Sequence, residues 1–366
     1  MRVEVHRLSM AHPGDVSGLQ ELVSTGQIEP TKIVATIGKT EGNGGANDFT
    51  RALATTSFAN YLAKVRDQTP EEVTEQIAFV WSGGCEGVLS PHVTVFTRDD
   101  GAPGSPDGQK RLAISVQRTR DFLPEEVGRM AEVNEVADAV RRALDDLGSE
   151  TEDVHYVQVK GPLLTPSGIA DARARGVDVV TTDPNRSKAY ARGATALGVA
   201  IALGEVSADQ VKDEIIANDM TLYSNVASTS AGGELTSCEV IVFANSLHAS
   251  SDYRIGHATL QDPIDIDGVR SALRNAGLQI ECDPKPAEKE RIAAVFAKAE
   301  APLGGVLRGA RTTMLSDADI NYERHGRAAV GAVIASQTGD PRIFVSGGTE
   351  HQSPPAQAPI SAIARI

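Results

Sequence analysis

Three widely separated segments of this chain carry a serine with a glutamate four residues further on. They are Phe79–Gly87 (FVWSGGCEG), Asn225–Leu235 (NVASTSAGGEL) and Phe344–Gln352 (FVSGGTEHQ), with the pairs Ser82/Glu86, Ser230/Glu234 and Ser346/Glu350. The repeat is far longer than the roughly 20–50 residues of a solenoid unit. It predicts an α/β fold of three homologous repeat units around a pseudo-threefold axis, with the serines converging at the centre.

The units are read at residues 1–103, 111–249 and 254–366. In the first, period-two alternation predicts strands at Val3–His6, Lys32–Ile37, Ile77–Val80 and His92–Thr97. The 3.6-residue pattern predicts helices at Asp15–Ser24 and Asp48–Val65, and a Gly-rich loop is expected at Gly38–Gly45. Asp99–Gly108, dense in Gly, Pro and Asp, is a linker. The second unit shows strands at Leu112–Val116, Val154–Val159 and Glu239–Phe243. It also has a long helix Pro124–Leu147, with Pro at its first turn and Gly148 past its end, and a helix Ala189–Leu203. The third opens with Tyr253–Leu260 and a helix at Ile266–Asn275. Ala293–Lys298 reads as strand or helix, Arg327–Ser336 as helix and Ile343–Val345 as strand. A Pro-rich tail, Ser353–Pro359, ends in the apolar run Ile360–Ile366.

A lysine and an arginine recur with each serine: Lys39, Lys160 and Lys298, with Lys289 a rival for the third place, and Arg51, Arg192 and Arg327. Each arginine is expected to open an apolar helix, where the positive end of the helix dipole adds to its charge. A lysine sunk among cations and apolar groups loses its proton more readily. It can then serve a serine as general base. Glycines beside the serines let backbone N–H groups face a ligand. Guanidinium groups suit carbonyl or enolate oxygens, and three unpaired ones at one centre would need an electron-rich ligand. Together these predict a small, flat, oxygen-rich ring held by three Lys–Arg–Ser sets. Gly38-Lys39-Thr40 has the end of a phosphate-binding loop, but Ile33 stands where its first glycine is required.

Composition narrows the classes. A net charge of −14 is unsuited to nucleic acid. Cys85, Cys238 and Cys282 show neither metal spacing nor a disulfide framework, and a reducing cytoplasm is expected. The longest apolar stretch, Ala194–Leu203, is too short to cross a bilayer. The eight histidines form no zinc spacing, so no catalytic metal is expected.

Seven segments resemble the cyanuric acid hydrolase/barbiturase family of ring-opening amidohydrolases. They are Ile37–Arg51, Val80–His92, His155–Thr165, Ala191–Glu205, Arg254–Asp262, Gly304–Asn321 and Ser346–Pro355. The resemblance implies the family's Toblerone-type fold and hydrolysis of one amide of a cyclic imide: cyanuric acid first, with barbiturate ring opening or non-catalytic binding on the same scaffold as alternatives. By position, Ser230 becomes the nucleophile and Lys160 its base. Arg51, Arg192 and Arg327 would hold ring oxygens. Ser82 and Ser346, with Gly83, Ala231 and Gly347, would complete the cradle, and Lys39 and Lys298 would orient the other two serines. The resemblance further implies a homotetramer and a structural Mg²⁺ or Ca²⁺ ion bound by Glu300, Thr349, Gln352, Ser353, Pro354 and Gln357, mainly through carbonyl oxygens. Two positions depart from the family: Ala231 replaces its usual serine, and Gln357 a glycine.

Overall fold

The computed structural model of the chain describes residues 1–366. One sheet order occurs three times. In the first unit, β1 (Arg2–Ser9), β2 (Ile33–Thr40), β3 (Ala78–Gly83) and β4 (His92–Asp99) lie side by side as β1-β4-β2-β3. Strand β4 is antiparallel to both neighbours, and β3 is parallel to β2. Helix α1 (Ser17–Ser24) follows β1, and α2 (Phe49–Arg66) and α3 (Pro70–Gln76) join β2 to β3.

The second unit repeats this with β5 (Arg111–Arg118), β6 (Val154–Pro162), β7 (Ala227–Gly232) and β8 (Glu239–Ser246), ordered β5-β8-β6-β7. Its helices are α4 (Met130–Leu147), α5 (Pro166–Arg175) and α6 (Pro184–Ala202). The third has β9 (Tyr253–Leu260), β10 (Ile292–Ala299), a short hairpin of β11 (Val306–Leu307) and β12 (Ala310–Arg311), then β13 (Phe344–Gly347) and β14 (Ala358–Arg365). Its sheet runs β9-β14-β10-β13, and its helices are α7 (Ile266–Asn275), α8 (Pro286–Lys289) and α9 (Tyr322–Thr338).

The sheets are covered on both faces, which is why β8 is buried along its whole length and carries the apolar run Val240–Ala244. Each unit has its own apolar core, where its helices pack on its sheet. A further core draws residues from all three sheets, among them Val5 and Phe96, Tyr156 and Phe243, and Ile255 and Phe296. The few aromatics concentrate there: the rings of Phe96, Phe243 and Phe296, one per unit, lie 5.1–6.3 Å apart. This shared core closes the three sheets around one axis. No helix is long and apolar enough to cross a membrane.

Several elements differ from the sequence reading, each for a local reason. Strand β2 continues through Gly38, Lys39 and Thr40, so Lys39 sits inside a strand and not in a glycine loop. A side chain at Gly38 would meet the Trp81 ring, so this glycine serves close packing and not a turn. The long helix begins at Met130, because Gly128 turns left-handed at φ +73° and leaves Pro124–Glu126 as a separate 3₁₀ turn. Only Arg51 stands in the first turn of its helix. Arg192 and Arg327 lie deeper, since Asp183 and Asn321 cap α6 and α9 well before them. The apolar tail becomes β14, inserted between β9 and β10. Lys298 belongs to β10, whereas Lys289 ends α8.

Truncating Phe243 to Ala should cost about 3–5 kcal/mol, because its ring packs on Phe96, Tyr156 and Phe296 at once. Urea unfolding should show a lowered midpoint with the slope unchanged.

Candidate active site

Strand register builds the site. In each unit the second strand runs parallel to the third, and the pairing sets a lysine opposite a serine: Lys39 with Ser82, Lys160 with Ser230, and Lys298 with Ser346. Residues paired this way project from one face of the sheet, so each lysine lies beside its own serine. All three lysines are buried, at 0, 2 and 0% exposure.

Each buried amine also reaches into a neighbouring unit. Lys39 Nζ donates to the Val345 carbonyl at 2.7 Å, Lys160 to Trp81 at 3.2 Å and Lys298 to Thr229 at 2.7 Å. In every case the acceptor is the residue just before another unit's serine. Lys39 and Lys298 additionally bond their own serines, at 3.1 and 3.3 Å. The second unit breaks the pattern. Lys160 makes no hydrogen bond to Ser230, and its amine stands 3.3 Å from a Glu234 carboxylate oxygen. The Ser230 hydroxyl is buried with no hydrogen-bond partner.

The arginines close a second ring in the opposite sense. Arg51 donates to Glu234 at 2.9 Å. Arg192 grips Glu350 through two bonds of 2.7 and 2.6 Å, and Arg327 grips Glu86 at 2.8 and 2.6 Å. The three arginines are therefore paired, which corrects the expectation of unpaired guanidiniums at the centre. Their partners are the glutamates four residues after each serine, which the sequence reading aligned but gave no role. A buried arginine without a counter-charge is costly, and that cost accounts for the Ser–x₃–Glu spacing.

The glycines follow from these pairs. A Cβ at Gly84, Gly232 or Gly348 would fall 2.2, 2.2 or 2.3 Å from Glu86, Glu234 or Arg192 respectively. The second residue after each serine therefore has no room for a side chain. Gly84 and Gly348 also take positive φ, +94° and +82°.

Ser82, Ser230 and Ser346 line one central cavity with Gly83, Ala231, Gly347, Lys160 and the three arginines. Lys39 and Lys298 lie behind it. Gly44, Lys188 and Glu323 also line it; Gly44 belongs to the Gly-rich stretch already noted, whereas Lys188 and Glu323 carry no sequence signal, because no counterpart repeats in the other units. Glu323 accepts from Lys188 at 3.3 Å and from Arg192 at 3.4 Å. Residues Gly44, Lys188, Arg192, Glu323 and Arg327 are shared with a wider outer groove, which makes them the neck between solvent and centre.

Burial drives the electrostatics. It depresses Lys39 to about 8, helped by Arg327. Burial likewise brings Lys160 to about 8, with Glu234 opposing and Arg51 assisting. Lys298 is pushed well down by burial and Arg192. For Glu234 burial acts upward, but Lys160 and Arg51 outweigh it and hold the carboxylate at about 2. The site thus contains readily deprotonated amines beside firmly ionised carboxylates, a combination that can pass a proton between a hydroxyl and an amine.

Glu300 is pushed up to about 7 by burial and by Glu350, and no cation pairs with it; its carboxylate receives the Ala301 N–H at 3.0 Å. The Ser353 hydroxyl is buried and lacks a hydrogen-bond partner. A buried carboxylate and an orphan hydroxyl fit a hard cation. The Gln352 side chain is engaged elsewhere, accepting the Thr229 N–H at 2.7 Å, so it leaves its carbonyl for an ion. His351, Ser353 and Ala356 take positive φ without being glycine, whereas Gln357 does not, so the backbone sets no need for glycine at 357. His351 is a structural residue: its Nε2 accepts the Ala217 N–H and its Nδ1 faces the Leu222 carbonyl.

A buried lysine in register with an unpartnered serine, beside a small cavity rimmed by arginines, suits a compact, oxygen-rich ligand. The model of the amidohydrolase ring-opening protein family matches residues 4–365, and the chain belongs to that family. A cyclic amide hydrolase of Azorhizobium caulinodans is 62% identical over all of both chains. A cyanuric acid amidohydrolase of Enterobacter cloacae is 50% identical, again over all of both. A solved cyanuric acid hydrolase, described as an evolutionary innovation by structural concatenation, superposes with a TM-score of 0.93 at 48% identity, covering 100% of this chain and 99% of that one.

Gly348→Ala should drive a methyl group into the Arg192–Glu350 pair. Hydrolysis of the cyclic amide substrate should fall by on the order of a hundredfold through misplacement of the cradle, measured as kcat/KM, while the far-ultraviolet circular dichroism stays native.

Proposed function

We propose that this chain is a cyanuric acid amidohydrolase working through a Ser230–Lys160 dyad. The observation that carries the reading is the unpartnered Ser230 hydroxyl. It opens onto the central cavity, next in register to a lysine whose amine is not tied to it. Ser82 and Ser346 have the same placement, but their hydroxyls are each held by a lysine.

Cyanuric acid presents three equivalent carbonyls, which suits three quasi-equivalent sets of donors. Arg327 uses Nε and Nη2 on Glu86, so its Nη1 is available to a ring oxygen. With Lys160 near 8, a useful fraction of its amine is neutral at mild pH. Neutral Lys160 takes the Ser230 proton as Oγ attacks a ring carbonyl carbon. The ring C–N bond then breaks, and the leaving nitrogen takes the proton back from the ammonium. Water cleaves the resulting serine ester to release carboxybiuret, which loses carbon dioxide to give biuret. Backbone N–H groups at Gly83, Ala231 and Gly347 and the hydroxyls of Ser82 and Ser346 would steady the developing oxyanion.

Beside this centre, Glu300 and the carbonyls of Thr349, Gln352, Ser353, Pro354 and Gln357 would hold a structural divalent ion. Such an ion would neutralise the Glu300 carboxylate and brace the loop that leads from β13. Assembly as a homotetramer belongs to the same proposal.

Ser230→Ala should abolish turnover of cyanuric acid, and Ser82→Ala should leave a measurable remnant. Ultraviolet assays of ring loss on cyanuric acid and on barbituric acid, run side by side, check both the dyad and the substrate. Equal losses in the two variants would overturn the assignment of Ser230. Faster loss of barbituric acid would make the chain a barbiturase, and saturable binding with no turnover of either would make it a binding protein.

A further inference from the structure

The second unit also differs from the first behind its lysine. Strand pairing places four side chains in one row across its sheet: Arg118 on β5 opposite Glu239 on β8, Glu239 opposite Lys160 on β6, and Lys160 opposite Ser230 on β7. In the first unit the same row reads Ser9, His92, Lys39 and Ser82. There the lysine is backed by a buried imidazole that faces the Ser90 carbonyl and has burial pushing it down to about 3, so it carries no charge. Of these two rows, only that of Lys160 has a carboxylate behind the amine.

Glu239 is itself buried and fully engaged. One oxygen accepts from Arg118 Nη2 at 2.8 Å. The other accepts the backbone N–H of Phe79 at 3.1 Å, on the open edge of β3 in the first unit. Phe79 lies two residues before Trp81, whose carbonyl receives the Lys160 amine. Arg118 also donates to the Thr74 carbonyl of α3, anchoring the row to the first unit. Burial pushes Glu239 up to about 7 against the pull of Arg118 and Lys160, so it is mainly charged where Lys160, at about 8, titrates; it acts on Lys160 both through that charge and by fixing the strand edge that Lys160 grips. The charged groups facing Lys160 are Glu234 and Arg51 in front and Glu239 behind. Those facing Glu239 are Arg118, Lys160 and Glu234.

We infer that Glu239 is a positioning residue for the reaction: it steadies the ammonium that Lys160 becomes when Ser230 gives up its proton, and so sets this lysine–serine pair apart from that of Lys39 and Ser82. The inference rests on the reading of Lys160 as general base. No ion pair closes between the two side chains, so the influence is that of a nearby charge and not of a direct contact.

The sign follows from electrostatics. Catalysis needs neutral Lys160, so kcat rises with pH through the lysine's titration. Removing a negative neighbour makes the ammonium less stable, and the acid limb should move down. In Glu239→Gln the limb of the kcat profile on cyanuric acid should fall by roughly half a pH unit, with KM close to that of the parent. Glu239→His places there the residue that the first unit already accepts at the same register, and it should shift the limb in the same direction. It also serves if the Gln variant fails to fold. Glu239→Asp, which keeps the charge but shortens its reach, should leave the limb in place while lowering kcat. Lys160→Met is run alongside. Inactive Lys160→Met with an unmoved limb in the Gln or His variant overturns the role of Glu239 and spares the dyad. Turnover surviving in Lys160→Met overturns the dyad itself.

Discussion

The interaction on which the rest depends is the reach of a buried lysine across a unit boundary. Lys39, Lys160 and Lys298 each give an N–H to the carbonyl that precedes another unit's serine. A buried polar group left unsatisfied costs heavily, so each amine forces two sheets into one relative placement. The arginine–glutamate pairs repeat the constraint in the other rotational sense. Two opposed rings of charged or polar contacts thus lock three sheets at the end of a shared apolar core, and the cavity is what remains between them.

That architecture explains how one site can be both symmetric and directed. A flat ring needs similar donors from three sides, and the repeats supply them. A nucleophile must nevertheless be unique. On the proposed reading the second unit achieves this by small substitutions within the same register: Glu239 where the first unit has His92, and a serine hydroxyl that its lysine leaves free. A further asymmetry acts on the residue before Ser230, since Thr229 is held at its N–H by Gln352 and at its carbonyl by Lys298, both from the third unit. The neck residues Lys188 and Glu323 break the symmetry at the entrance.

Much of this was legible in the chain because the repeats make equivalent positions comparable. The triple Lys–Arg–Ser alignment contains the three serines, the three arginines and Lys160 that line one cavity, with Lys39 and Lys298 behind it, and the serine–glutamate spacing contains the arginines' partners. What could not be read were features set by contacts distant in sequence. Lys39 looked like a loop residue because Gly38 beside it suggested a turn, whereas the glycine is there to admit the Trp81 ring. The apolar pattern that begins near Arg192 suggests a helix start there, while the cap at Asp183 lies nine residues upstream in polar sequence. The final strand was obscured by the proline-rich segment before it, and its place in the middle of a sheet follows from pairing with β9 and β10. Lys188 and Glu323 have no repeat partners, so comparison between units could not reveal them.

Each serine is placed by a lysine belonging to a different unit. Amide hydrogen exchange in a Lys39→Met variant tests it most directly. Lys39 holds the Val345 carbonyl, so exchange should quicken in β13, in the third unit, as well as around Ser82. Protection lost only in β2 and β3, with Phe344–Gly347 exchanging as in the parent, would contradict it.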